Sequence, residues 1–233
     1  MLGAAAAWDR PGLAELARLC LVHVRDTLLR ADGAVLRTAG GVAGLLDDQA
    51  AVADAFAQLA QWCGEETWLH EAERVLGFVD RLVLPEGGYR DAPPGGVGLL
   101  AHTRRLLPGN AAIGEAAWRV AALTDDARWR DMAAEAERGA RAEADRYGFM
   151  AAPYGALAER LVRSPVVVKV NQHVALARAL WSRFDPDVVV RCVQTGVPEG
   201  AALACSGSAC ARPARTVEDV LAQVAALRAQ PKS

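Results

Sequence analysis

Lysine is nearly absent: it occurs only at Lys169 and Lys232, and the remaining basic charge is arginine. With a formal net charge of −2 and no clustered Lys/Arg stripe, the chain lacks the electrostatic footprint of a nucleic-acid binder. No run approaches the ~20 consecutive apolar residues of a membrane-spanning helix. The start, Met1 to Ala7, is apolar but has no basic segment and is too short for a signal peptide, so the expected address is cytoplasmic. There is no Cys-x-x-Cys, His-Glu-x-x-His, Gly-x-Ser-x-Gly, phosphate loop or dinucleotide fingerprint. His23, His70, His102 and His173 are scattered. No metal and no cofactor is therefore expected, and no reaction is named. Aromatic residues make up only 6% of the chain, yet six of them are tryptophan.

What is present is apolar and rich in alanine, the best helix former. Hydrophobic residues make up 52% of the 233 positions and charged residues 23%, enough for a packed core of one large domain or a domain and a half. Apolar periodicity predicts a helix over Leu13–Leu29, with Asp9 and Pro11 suiting its first turn. A second is predicted from about Asp48 to Cys63 with Asp47 or Asp48 as N-cap, and a third from Glu66 to Val83. Others are predicted from Asn110 to Leu123, Ala127 to Tyr147 and Tyr154 to Val162. Beyond Ser164 the character changes. Val166–Val170 and Val188–Val193 are short β-branched strand candidates around a helix expected over Asn171–Phe184. Thr216 followed by Asp219 caps a terminal helix to Leu227, and the tail from Gln230 is expected to fray. The expected organisation is residues 1–163, a mainly α hairpin repeat, and residues 164–233, a small α/β subdomain.

The segment Leu59–Ala72 can be laid on Val120–Ala133, which puts Trp68 on Trp129, Glu65 on Asp126 and Ala72 on Ala133. A weaker copy begins at Asp9. Each copy reads as helix, short acidic turn, helix, the acid favouring the positive end of the second helix. Such units bury a shared core only by stacking on their neighbours. Trp62, Trp68, Trp118 and Trp129 lie in apolar stripes and are expected in the core.

Several motifs then occur in a recognisable order. Leu45-Leu46-Asp47-Asp48-Gln49-Ala50, with Gly64-Glu65-Glu66-Thr67-Trp68-Leu69 after it, resembles the helical domain of the thioredoxin-domain-containing family related to spermatogenesis-associated protein 20. Gly87-Gly88-Tyr89-Arg90-Asp91 is similar to that family's Gly-Gly-aromatic turn, and Pro108-Gly109-Asn110-Ala111 to its Pro-Ser-Gly-Asn motif without the serine. Leu123-Thr124-Asp125-Asp126 to Trp129 matches the next hairpin turn, and Cys205 and Cys210 with Pro213 resemble its Cys-x4-Cys ending. The resemblance implies an α/α toroid of the six-hairpin glycosidase type, here incomplete, and a thioredoxin-like domain that this chain lacks. It thus implies a carbohydrate-related protein binding a sugar-like ligand. The alternative is an assembly module that completes a toroid with a partner chain or by self-association.

In such toroids the loops of one rim build the sugar site. Asp47 and Asp48 are the candidates for acid and base work there, against simple helix capping. Tyr89 in its glycine loop is the candidate to stack on a ligand, beside Arg90 and Asp91. His102 with Arg104 and Arg105 suits an anionic group, and Asn110 is either an N-cap or a ligand contact at a helix start. The five cysteines, Cys20, Cys63, Cys192, Cys205 and Cys210, are an odd number at irregular spacing. They read as reduced thiols, mostly in helices, rather than as a disulfide framework. Cys205 and Cys210 remain open between a labile disulfide with a redox role, half a metal site and a structural pair.

Overall fold

The computed structural model describes residues 2, 5, 10–102, 104–183, 185 and 187–229. The chain is mainly helical, 60% helix, with one small four-stranded sheet. Its helices of two turns or more are α1 (Pro11–His23), α2 (Leu46–Cys63), α3 (Glu66–Val79), α4 (Leu107–Thr124), α5 (Ala127–Arg141), α6 (Ala152–Val162), α7 (Val174–Trp181) and α8 (Val217–Ala229). The strands are β1 (Val166–Asn171), β2 (Val188–Val193), β3 (Ala202–Ser206) and β4 (Ala209–Cys210). By compactness the backbone forms two units. One comprises Cys20–Ala57 and Thr67–Val162, the other Met1–Leu19, Gln58–Glu66 and Arg163–Ser233.

The first unit is helical. Each second helix of a hairpin buries one stripe: Trp68, Ala72, Val75, Leu76 and Val79 on α3, and Trp129, Met132, Ala133, Ala136 and Ala140 on α5. These recurrences at three and four residues give one apolar face each. α4 is buried nearly all round, from Leu107 to Leu123, because it is packed on several sides. Side chains then link like to like. Arg119 on α4 meets Asp54 on α2 at 2.7 Å, and Trp129 Nε1 on α5 donates to Glu73 on α3 at 3.1 Å. α6 follows against α4, where Arg160 pairs with Glu115 at 2.7 Å and Leu157 fills the space left by Gly114. First helices thus stack on first helices and second on second. Trp68 and Trp129, the third residue of their helices, are both buried, as are Ala72 and Ala133.

The repeat runs deeper than its tryptophans. The offset that separates Trp68 from Trp129 also separates Gln49 from Asn110, the fourth residues of α2 and α4. Both amides are fully enclosed and both clamp the preceding loop. Gln49 accepts from Val35 N at 2.5 Å and donates to Gly33 O and Val75 O, each at 3.0 Å. Asn110 accepts from Tyr89 N at 2.8 Å and donates to Tyr89 O at 2.9 Å and Leu106 O at 3.0 Å. Gly88 and Gly139 meet over Asn110 so closely that a side chain on either would strike the other or the amide. Gly88 also has φ +77, which favours glycine in its own right.

The second unit holds the sheet, in the order β2-β1-β3-β4. β1 and β2 are parallel and joined through α7, while β3 runs antiparallel to β1 and hairpins into β4. Val166, Val168 and Val170 of β1 pack with Leu176 and Leu180 of α7 and Val220 and Val224 of α8. On the edge strand β2, the Val190 N–H finds its acceptor in the buried Gln61 at 3.1 Å. Trp62 meets Trp181 edge-on, with ring centroids 5.4 Å apart, and Arg178 lies over Trp62.

Several expectations are corrected in detail. α1 ends at His23, and the residues to Leu28 form a π turn. α2 begins at Leu46, so Asp47 and Asp48 stand inside its first turn rather than ahead of it. α4 begins at Leu107 because Pro108 fits a first helical turn, so Asn110 is no N-cap. α3 tightens into a 3-10 turn after Val79, and α5 stops at Arg141. α7 is shorter than expected, since Asn171 belongs to β1. Asp9, Phe184 and the tail from Gln230 lie outside the described residues. Thr216 does cap α8, accepting from Asp219 N at 3.2 Å.

Replacing Asn110 by alanine strands the Tyr89 N–H and C=O in the core, at roughly 1–3 kcal/mol for each unpaired group. Urea unfolding of Asn110→Ala should therefore show a loss of about 3 kcal/mol. Gln49→Ala should lose a similar amount if the two amides play the same part.

Candidate functional site

Three segments of the chain are hydrogen-bonded together at the starts of α2 and α4. Leu46 N, opening α2, donates to Asp91 O at 3.0 Å. Asp91 N donates to Arg104 O at 2.8 Å, and the Asp91 carboxylate accepts from Arg104 N at 2.7 Å. Tyr89, two residues before Asp91, is held by the Asn110 amide on α4. The resulting rim is made by residues 45–48, 87–91 and 104–110.

Helix α4 presents an uncapped N-terminus to this rim. Its N-cap, Leu106, has no capping side chain, and Pro108 has no N–H. Asp47 lies against it: a Cβ at Gly109 would fall 2.7 Å from Asp47 Oδ1 and 3.2 Å from Leu46 Cδ2. A carboxylate there is favoured by the positive end of the helix dipole. A side chain at 109 would make Asp47 move.

The expected site residues divide into two groups. Asp47 is exposed and makes no hydrogen bond or ion pair among the described residues. Arg90 is half-buried, with its Nε enclosed and unpartnered, and Arg104 and His102 are exposed. These four can reach a ligand. Asp48 is instead paired with Arg37 at 3.0 Å, and the Asp91 carboxylate is engaged by the Arg104 N–H. Arg105 donates to Gly87 O at 3.0 Å and pairs with Glu143 at 3.4 Å, so it braces the glycine turn. Tyr89 and Asn110, expected to face a ligand, are 2% and 0% exposed and belong to the core beneath the rim. Burial pushes the Tyr89 phenol above its ordinary range, so it stays protonated.

Sequence reasoning missed two members. Arg37 reaches Asp48 from a loop with no motif of its own. Gly109 packs against Asp47, a contact between distant residues that no local pattern records.

The expectation of reduced thiols mostly in helices is corrected. Cys205 of β3 and Cys210 of β4 form a disulfide across their hairpin, where they are paired residues of the ladder. Cys192 lies in β2, and only Cys20 and Cys63 are helical. No cluster of three or more potential metal ligands occurs among the described residues. No helix among them is long and apolar enough to cross a membrane. The chain matches no model of a known protein family, and no curated protein matches it.

If Asp47 is free to meet a ligand, Asp47→Asn should lower the thermal midpoint by no more than about 1–2 °C, the loss of an exposed charge–dipole contact. Asp91→Ala, by contrast, removes a hydrogen bond that joins two loops, at about 1 kcal/mol, or roughly 2–4 °C for a chain of this size. A thermal melt of both variants by circular dichroism checks the contrast.

Proposed function

We propose that the rim at the starts of α2 and α4 binds a sugar-like, hydroxyl-rich ligand, and that the stacked hairpins are part of an α/α toroid. The observation that carries this reading is the joining of three chain segments into one rim that leaves Asp47, Arg90 and Arg104 without a salt-bridge partner among the described residues. A carboxylate accepts from vicinal hydroxyls, and a guanidinium donates to hydroxyl or carboxylate oxygens. The stacking of first helix on first helix and second on second supports the toroid, because that is how such a ring is built hairpin by hairpin. No catalytic step is assigned, since Asp48 is neutralised by Arg37. Titration calorimetry against neutral, amino and acidic monosaccharides should show binding that Asp47→Asn and Arg90→Gln each weaken at least ~10-fold, about 1.4 kcal/mol. An absence of binding across the panel, or variants that change only stability, would sink the reading.

A second reading, completion of the helical array by another chain, is favoured by exposed apolar side chains at the two ends of α6. Phe149 and Met150 ahead of α6 are 92% and 62% exposed, and Val162 at its end is 72% exposed. Exposed apolar groups of this size along one segment mark association surfaces. Sedimentation at micromolar concentration should then show self-association, or a co-purifying partner, that Phe149→Glu abolishes. A stable lone monomer would count against it.

A further inference from the structure

The last turn of α2 and strand β2 bring two free cysteines together. Cys63 is the last residue of α2, and Gly64 follows it with φ +75. A Cβ at Gly64 would lie 3.0 Å from Cys192 Cβ and 3.1 Å from Cys192 Sγ. The Cys192 side chain therefore rests directly on the turn that carries Cys63. Gln61, two residues before Cys63, accepts from Val190 N, two residues before Cys192, at 3.1 Å. The spacing of the two thiols is thus held by backbone and by a buried amide rather than by long, mobile side chains. Both thiols are half-buried and neither is in a disulfide.

We propose that Cys63 and Cys192 form a dithiol modification site that a small organic disulfide, RSSR, closes to a second intramolecular disulfide. Cys192, as thiolate, attacks one sulfur of RSSR. That S–S bond breaks, one RSH leaves with the proton lost from Cys192, and a mixed disulfide remains on Cys192. The Cys63 thiol gives up its hydrogen bond to Leu59 O, loses its proton and attacks Cys192 Sγ. The second RSH leaves, and the Cys63–Cys192 bond forms. The protein loses two electrons and two protons, and RSSR gains them. The absence of a side chain at Gly64 keeps the path between the sulfurs open.

The order of attack follows from the surroundings. Burial alone raises Cys192 above the ordinary thiol range. Burial pushes Cys63 up to about 11, against the lowering effect of backbone hydrogen bonds at Glu65 and Cys63 and with smaller raising contributions from the Glu65 and Cys192 charges, while Arg18 is the cation facing it. The Cys63 S–H is held by Leu59 O at 3.0 Å, which favours its protonated form, so Cys192 attacks first and Cys63 resolves. Since the thiolate is the nucleophile, closure is slow at neutral pH and quickens as pH rises.

The test uses the full chain, oxidised glutathione at mildly alkaline pH, alkylation of the remaining thiols and peptide mass spectrometry. The expected result is a Cys63–Cys192 linked peptide, with both thiols lost together, while exposed Cys20 carries glutathione alone. In Cys63→Ser the reaction should stop at glutathione on Cys192. Cys63 and Cys192 both recovered alkylated, each carrying its own glutathione, or linked to Cys205 or Cys210, would overturn the proposal. The wild-type result stands whether or not the variant folds.

Discussion

The helical unit hangs on a buried amide. Asn110 binds both backbone groups of Tyr89 and the carbonyl of Leu106, so one side chain joins the loop before α4 to its first turn. Tyr89 sits opposite Val83 in an isolated bridge whose hydrogen bonds run through Gly88 and Arg90, so its own N–H and C=O need partners in a dry place, and an amide side chain offers a donor and an acceptor at once. Gly88 and Gly139 are glycines because the backbone must come this close to the amide. Tyr89 is carried into the core as a consequence, and Arg90 and Asp91 are left at the rim. From Asp91 the constraint passes to Arg104 and to the start of α2.

Gln49 does the same work one repeat earlier, with the longer amide reaching Gly33, Val35 and Val75. The repeat is therefore a packing unit with a polar clamp. Alanine and glycine let the first helices approach one another, tryptophan seats the second helices, and the amide fixes the loop over them. Charged pairs such as Asp54 with Arg119 add register between neighbours more than stability, since partly exposed pairs contribute little. The proposed site is made of what the clamps leave over: Asp47, Arg90, Arg104 and His102.

The parts of the fold that rest on local pattern were legible. The stripe of Trp68, Ala72, Val75, Leu76 and Val79 has helical period, and the valines of β1 and β2 have no rival reading. The site was half legible. Its loops were visible as glycine and proline punctuation, but Tyr89 and Asn110 look the same in sequence whether they face a ligand or the core. β3 escaped notice because Ala-Leu-Ala-Cys-Ser has little strand propensity. It is a strand because β1 offers it a ladder on one side, from Ala202 to Ser206.

Taken alone, the sequence determined a mainly helical chain with a paired repeat and a short βαβ ending, because periodicity, capping and β-branching act within a few residues. Tertiary structure alone decided which groups meet. It pairs Asp48 with Arg37, sets Asp47 against Gly109, joins Cys205 to Cys210 and lays Cys192 on the turn of Cys63. Each of these joins residues whose separation along the chain carries no periodic signal. Each exists only because buried backbone groups must find partners and small residues allow the approach.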